Sequence, residues 1–168
     1  MSDDLPFVAP HLLDASAAIK LLVKEQGSDA LRNYFETKLG GYFISSLCFV
    51  EVFSALKAKW LRKEINDNNY FGASYLFTAH VRNRRIKIVD SQVLSTDAFF
   101  HAVDLAKKYD LDLADSLQLI SLKGDQFKLL VQESKAILVT ADKGLEKAAL
   151  AEGFRVWNCV AGTSAPAQ

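Results

Sequence analysis

The chain has 168 residues, half of them apolar and 24% charged, which is enough for one domain with a real core and excludes disordered and fibrous classes. Lys plus Arg and Asp plus Glu both total 20, so a net charge of zero offers no general attraction to nucleic acid or to an anionic membrane. The two cysteines, Cys48 and Cys159, lie far apart without metal-ligand spacing, and a disulfide scaffold is not expected for a core of this size.

The opening MSDDLPFVAP is acidic and lacks the basic start and apolar run of a signal peptide, and no uncharged apolar segment is long enough to cross a bilayer. A cytoplasmic, soluble protein without membrane contact is therefore expected. HLLDAS at 11–16 reads as a first strand stopping at Asp14, followed by a helix through AAIKLLVKE and a second through SDALRNYFETKL. GGYFISSL at 40–47 predicts a glycine-led strand, and CFVEVFSALKAKWLRKE a long helix of good helix formers. A further helix is expected over roughly 68–82, a short strand at 85–89 (RIKIV), and then a helix through DAFFHAVDLAKKY. After the acidic stretch YDLDLADSLQL come a β-rich run at 134–140 (SKAILVT), a helix DKGLEKAALAEG closed by Gly153, and a last strand FRVWNCV. This alternation predicts a single α/β domain over 1–168, with helices on a mostly parallel sheet, a core at about 10–158 and a frayed tail at 162–168.

In open parallel sheets, ligand sites form beyond the carboxyl ends of strands. Asp14 directly follows HLL, and Asp142 follows AILVTA; each is either a helix N-cap or a functional acid. Glu51 is the only charge in LCFVEVFSAL, where Phe49, Val50, Val52, Phe53 and Leu56 cover much of the helix circumference. A carboxylate in such surroundings is costly unless a cation or strong donors meet it, which suggests a metal ligand. In YDLDLADSLQL, Leu111, Leu113 and Leu117 suit a buried first turn, leaving Asp110 solvated in the preceding loop. Asp112 then takes the N-cap position and Asp115 stands at N3, where the helix dipole favours it by roughly 0.3–1 kcal/mol. Four carboxylates in one pocket, Asp14, Glu51, Asp115 and Asp142, would raise one another's pKa unless a divalent cation compensated them. Oxygen-only ligands suit Mg²⁺ or Mn²⁺, and the implied chemistry is metal-assisted attack of water on a phosphodiester.

The segments LLDASAAIKLL, ISSLCFVEVFSAL, LDLADSLQL and LVTADKGLEKAA, in this order, resemble the four motifs of PIN-domain nucleases. The resemblance spans roughly residues 10–158, and in size and layout it is most similar to the VapC-type toxins of toxin–antitoxin pairs. It implies a three-layer α/β/α fold with Asp14, Glu51, Asp115 and Asp142 as catalytic metal ligands, and with Ser16 and Thr140 orienting carboxylates or a water. It further implies Mg²⁺ or Mn²⁺ dependence, an RNA substrate, a homodimer and an antitoxin that occupies the groove. Two departures stand out: about ten residues precede the first strand, and the segment between Asp115 and Asp142 is long, which predicts an extra helix or loop there.

A cationic route for RNA is expected from Lys57, Lys59, Arg62 and Lys63, and from Arg82, Arg84, Arg85 and Lys87. The alternative for both is a solvated face. Trp60, Tyr70, Phe71, Tyr75 and Phe77 read as bases' stacking partners or as core and interface residues. His11, His80 and His101 match no triad or zinc pattern, leaving metal and water to perform the cleavage. Two other readings stand beside it: a housekeeping RNA-processing nuclease with the same site, which the sequence does not separate from a toxin, and a receiver-like or degenerate module that binds a partner without cleaving, which the single acid after the first strand and the presence of all four acids disfavour.

Overall fold

The computed structural model describes residues 9–37, 41–89, 95–124, 136–162 and 165. The expected departures at the N-terminus and between Asp115 and Asp142 fall largely on residues 1–8 and 125–135, outside the described residues, as does most of the tail.

Five short strands and seven helices occur among the described residues: β1 (His11–Leu13), α1 (Ala15–Leu22), α2 (Ser28–Thr37), β2 (Tyr42–Ser45), α3 (Ser46–Leu61), α4 (Asp67–Arg82), β3 (Ile86–Val89), α5 (Thr96–Tyr109), α6 (Leu113–Lys123), β4 (Ile137–Thr140), α7 (Lys143–Ala151) and β5 (Arg155–Asn158). The strands lie in the order β3-β2-β1-β4-β5, and every pairing is parallel. Parallel neighbours require crossovers, and each crossover here contains at least one helix. The chain first winds outward from β1 to β3, then returns to β4 on the other side of β1, so the direction of winding reverses between β1 and β4.

Side-chain alternation along the strands sorts the core into two layers. Leu13, Ile44, Ile137 and Val139 pack against α1 to α4 through Ala18, Leu31, Val52, Leu56 and Phe77. Leu12 and Leu138 point the other way, against Leu105, Leu119, Leu122, Leu145 and Ala149 of α5 to α7. Both faces of the central strands β1 and β4 are thus buried, which explains why these read as apolar runs rather than as alternating patterns. The fold is a three-layer α/β/α sandwich. Phe77 belongs to the core with Phe49 and Phe53, whereas Phe71 and Tyr75 are exposed.

Helix starts follow the capping chemistry of the sequence. Asp14, Ser45, Asn66, Ser95, Asp112 and Asp142 each cap a helix by accepting a backbone N–H with the side chain, a contribution of about 1 kcal/mol apiece. α3 begins at Ser46, two residues before the expected start, because Ser45 ends β2 and caps the helix with no loop between. Asp110 ends α5 in the left-handed region at φ 55°, which a short polar side chain tolerates better than most. Gly27, at φ 86°, has a stricter role: a Cβ there would stand 2.5 Å from the Cys159 carbonyl oxygen.

Candidate active site at the carboxyl edge of the sheet

Asp14 ends β1, Asp142 follows β4 by two residues, and α3 starts directly after β2, so all three crossovers open at the same edge of the parallel sheet. α6 brings a fourth set of groups to that edge with its first turn. Here lies a cavity of about 170 Å³ lined by Asp14, Ser16, Cys48, Glu51, Asp112, Asp115, Gln118 and Asp142, among others. All four acids of the sequence reading therefore face one cleft, at the point where the sheet's winding reverses. A larger open hollow of about 840 Å³ at the α3–α4 turn contains one carboxylate, Asp67, and the Trp60 indole already donates to it at 2.7 Å.

Asp14 is the buried member, 4% exposed. Its Oδ1 accepts from the Ala17 N–H at 2.7 Å, and its Oδ2 accepts from Thr140 Oγ1 at 2.6 Å. Ser16 Oγ donates to the same carboxylate at 2.8–2.9 Å and accepts the Ala141 N–H at 2.9 Å. The Asp142 N–H in turn donates to Thr140 Oγ1 at 2.9 Å, and the Asp142 side chain caps α7 through the Leu145 N–H at 2.8 Å. Two hydroxyls thus link the end of β1 to the end of β4. Burial raises the Asp14 carboxyl from its ordinary 3.8 to about 6; the bonds from Thr140, Ala17 and Ser16 oppose this rise, and the Glu51 charge adds to it.

Asp115 is half-buried, and its backbone N–H donates to Asp112 Oδ1 at 2.8 Å. Burial first, then the charges of Asp112, Asp142, Asp14 and Glu51, raise it from 3.8 to about 7. Glu51 is raised too, first by partial loss of water against the cleft wall and then by the Asp112 charge. Asp14, Glu51 and Asp115 thus shift in the same direction, first through burial and then through neighbouring carboxylates.

Two expectations need correction. Glu51 is not enclosed by apolar side chains: α3 buries only Cys48, Val52 and Leu56, and Glu51 stands exposed at the cleft mouth beside the exposed Leu47 and Val50. Its significance comes from facing other carboxylates rather than from burial in an apolar shell. Leu113 is likewise 41% exposed and does not share the buried first turn of α6, whereas Leu117 does.

The donor set is all oxygen apart from the Cys48 thiol, which burial holds protonated by pushing it up to about 12. As placed, no three acidic, imidazole or thiol groups among the described residues are close enough to enclose an ion. The residues nonetheless fit a hydrated Mg²⁺ or Mn²⁺: such ions take oxygen ligands, keep several waters, and need few direct carboxylates, and the cavity has room for that shell.

The expected cationic route fares differently. Arg82 ends α4, and Arg84 and Arg85 lie between α4 and β3, at the amino edge of the sheet, with the length of the strands between them and the acids. Arg85 is committed to Glu36 at 3.0 Å and stacks on Phe35. Lys59 pairs with Glu25 at 2.5 Å and with Glu64 at 3.1 Å, and Arg62 pairs with Glu64. Lys63 follows the far end of α3, and Lys57 lies over the Trp60 ring at 4.0 Å, about 1.7 turns down the helix from Glu51. The exposed ammonium nearest to the acids in sequence is instead Lys143, the first residue of α7. His11 is buried against Tyr34 and His80 packs on Phe35, while His101 is exposed; none lines the cleft.

Residues 11–150 match the PIN domain family. The chain belongs to that family. PIN domains have a nuclease-type fold, and the acidic cleft of this one lies at the carboxyl edge of its parallel sheet. Its fold is similar to that in the crystal structure of PAE2754 from Pyrobaculum aerophilum, with a TM-score of 0.57 at 17% identity over 83% of this chain and 79% of that one. No curated protein matches the sequence. Among the described residues of this PIN domain, no helix is long and apolar enough to cross a membrane.

Gln118, Ser45 and Cys48 escaped the sequence reading although they touch or line the cleft. The available signal was Gln118 itself, a polar residue one turn after Asp115 inside the otherwise apolar and small SLQLISL.

Proposed function

We propose that this PIN-domain protein is a divalent-metal-dependent endoribonuclease, the toxin of a type II toxin–antitoxin pair, acting in the cytoplasm as a homodimer. The observation that carries the reading is the convergence of Asp14, Glu51, Asp115 and Asp142 on one cavity at the carboxyl edge of the sheet. Asp14, Asp115 and Asp142 would hold Mg²⁺ or Mn²⁺, with Glu51 completing the shell. When bound, the cation supplies a water of lowered pKa and neutralises charge on the scissile phosphate.

The protein's own residues contribute orientation and proton handling. Thr140 and Ser16 hold the buried Asp14 carboxylate in place at the cleft by donating to it. Asp112 defines the start of α6 and thereby the direction of Asp115. Glu51, exposed at the mouth, would complete the shell from the α3 side or position the attacking water. Lys143, exposed and next to Asp142 in the chain, would meet an RNA phosphate at the rim; Lys57, Lys63, Arg82 and Arg84 would contribute a more distant, salt-sensitive attraction.

Asp14→Asn tests the assignment directly. The amide preserves shape, so the variant is expected to fold and to lose Mn²⁺-dependent RNA cleavage by at least about a hundredfold, as for loss of a positioned electrostatic group. Undiminished cleavage by the folded variant rejects the site. Growth arrest on expression, relieved by the product of a neighbouring small gene, separates a toxin from a housekeeping nuclease.

A further inference from the structure

Gln118 is 2% exposed and sits in the floor of the acidic cleft. Its Nε2 donates to the Leu13 carbonyl at 3.2 Å, immediately before Asp14. Its Oε1 accepts from Ser45 Oγ at 3.2 Å and from Cys48 Sγ at 3.2 Å, both at the start of the helix that carries Glu51. The amide orientation is fixed by chemistry: a carbonyl can only accept, so the NH₂ must face Leu13, leaving Oε1 for the hydroxyl and the thiol. One side chain on the helix of Asp115 therefore ties together the chain segments bearing Asp14 and Glu51, across sequence separations of 105 and 73 residues.

Packing alone gives no reason for an amide here. Buried polar atoms cost about 1–3 kcal/mol when unpaired, and an apolar side chain of similar volume avoids that risk. Ser116, the neighbouring buried polar residue of α6, turns back to the Asp112 carbonyl of its own helix at 2.8 Å, whereas Gln118 reaches two other elements. Three mutually repelling acids are held by separate elements, and a crosspiece bonded to all three elements sets how far apart those acids can relax.

We infer that Gln118 is a positioning residue that fixes the spacing of Asp14, Glu51 and Asp115 for the divalent cation. This rests on the metal-dependent reading above. It predicts that loss of the crosspiece weakens cation affinity by more than it weakens the fold.

The test compares the full-length protein with Gln118→Met, which keeps the length and loses the bonds, and with Gln118→Asn, which keeps the amide and shortens its reach. Leu122→Val, a buried α6 substitution that does not line the cleft, serves as the packing control. Mn²⁺ affinity is measured by calorimetry on metal-free protein, and thermal unfolding is followed with EDTA. Both Gln118 variants are expected to bind Mn²⁺ about tenfold or more weakly, the usual effect of losing a group that orients ligands. Leu122→Val is expected to melt earlier at unchanged Mn²⁺ affinity. Wild-type Mn²⁺ affinity in either folded Gln118 variant overturns the inference while leaving the nuclease reading intact, provided Asp14→Asn has lost binding. Failure of both Gln118 variants to fold overturns it in favour of a purely structural role. Absence of Mn²⁺ binding by the wild type overturns the metal reading and the inference together.

Discussion

Replacing Asp115 by Asn should stabilise the metal-free protein while disabling the site. Asp115 titrates at about 7 in the fold against 3.8 for an ordinary aspartate, so the native state holds a proton that the unfolded chain has already released. Stability therefore falls as pH rises from 3.8 through 7 and is lowest above that range. At 1.36 kcal/mol per pKa unit the full gap corresponds to about 4 kcal/mol at pH 8. Asp115 is only half-buried, and solvent screening reduces that figure to roughly 2–3 kcal/mol. Against it stands the loss of a carboxylate at the positive end of α6, roughly 0.3–1 kcal/mol. Desolvation and repulsion win, and Asp115→Asn should gain about 1–2 kcal/mol at pH 8, or roughly 2–8 °C in Tm for a chain of this size. At pH 5 the native Asp115 is already protonated and most of the gain should disappear. Urea or thermal unfolding of both proteins in EDTA at pH 5 and pH 8 measures this. A variant equally or less stable than wild type at pH 8 would refute the electrostatic account of the cleft.

Thr140→Val retains the shape of a buried residue and removes a 2.6 Å bond to Asp14 together with the acceptor for the Asp142 N–H. It should cost about 1.5–3 kcal/mol at pH 8, where Asp14 is charged, and less at pH 5, where a carboxyl titrating near 6 is mostly neutral; equal losses at both pH values would contradict this. Arg84→Ala, at the amino edge of the sheet, should change RNA cleavage less than twofold at 0.15 M salt, whereas Lys143→Ala, beside Asp142, should reduce it several-fold and flatten its salt dependence. The reverse ranking in a cleavage assay across salt concentrations would show that substrate approaches from the other edge.

Much of this protein was legible because the rules that place its helices and strands act over a few residues. Asp112 reads as a cap because an N-cap needs an acceptor within reach of the N–H three residues on, and the structure realises that bond at 2.8 Å. Polar residues ending apolar runs mark strand ends in the same local way, which put Asp14 and Asp142 at one edge once the strands were taken as parallel. Glu51 was found for the wrong physical reason, since helical periodicity gives the neighbours around a residue but not which arc the rest of the fold covers. Gln118 was missed because its partners lie far away in sequence and meet it only when α6 docks under the ends of β1 and β2. Charge pairing was equally invisible, and it removes Lys59, Arg62 and Arg85 from the pool of cations at liberty to meet a phosphate. The sequence by itself determined the order of elements, their caps and the identity of the acids, because backbone hydrogen bonding and side-chain period are local. Only the tertiary structure decided that four acids separated by up to 128 residues, from Asp14 to Asp142, share one cavity, because that depends on the order in which parallel strands are laid beside one another.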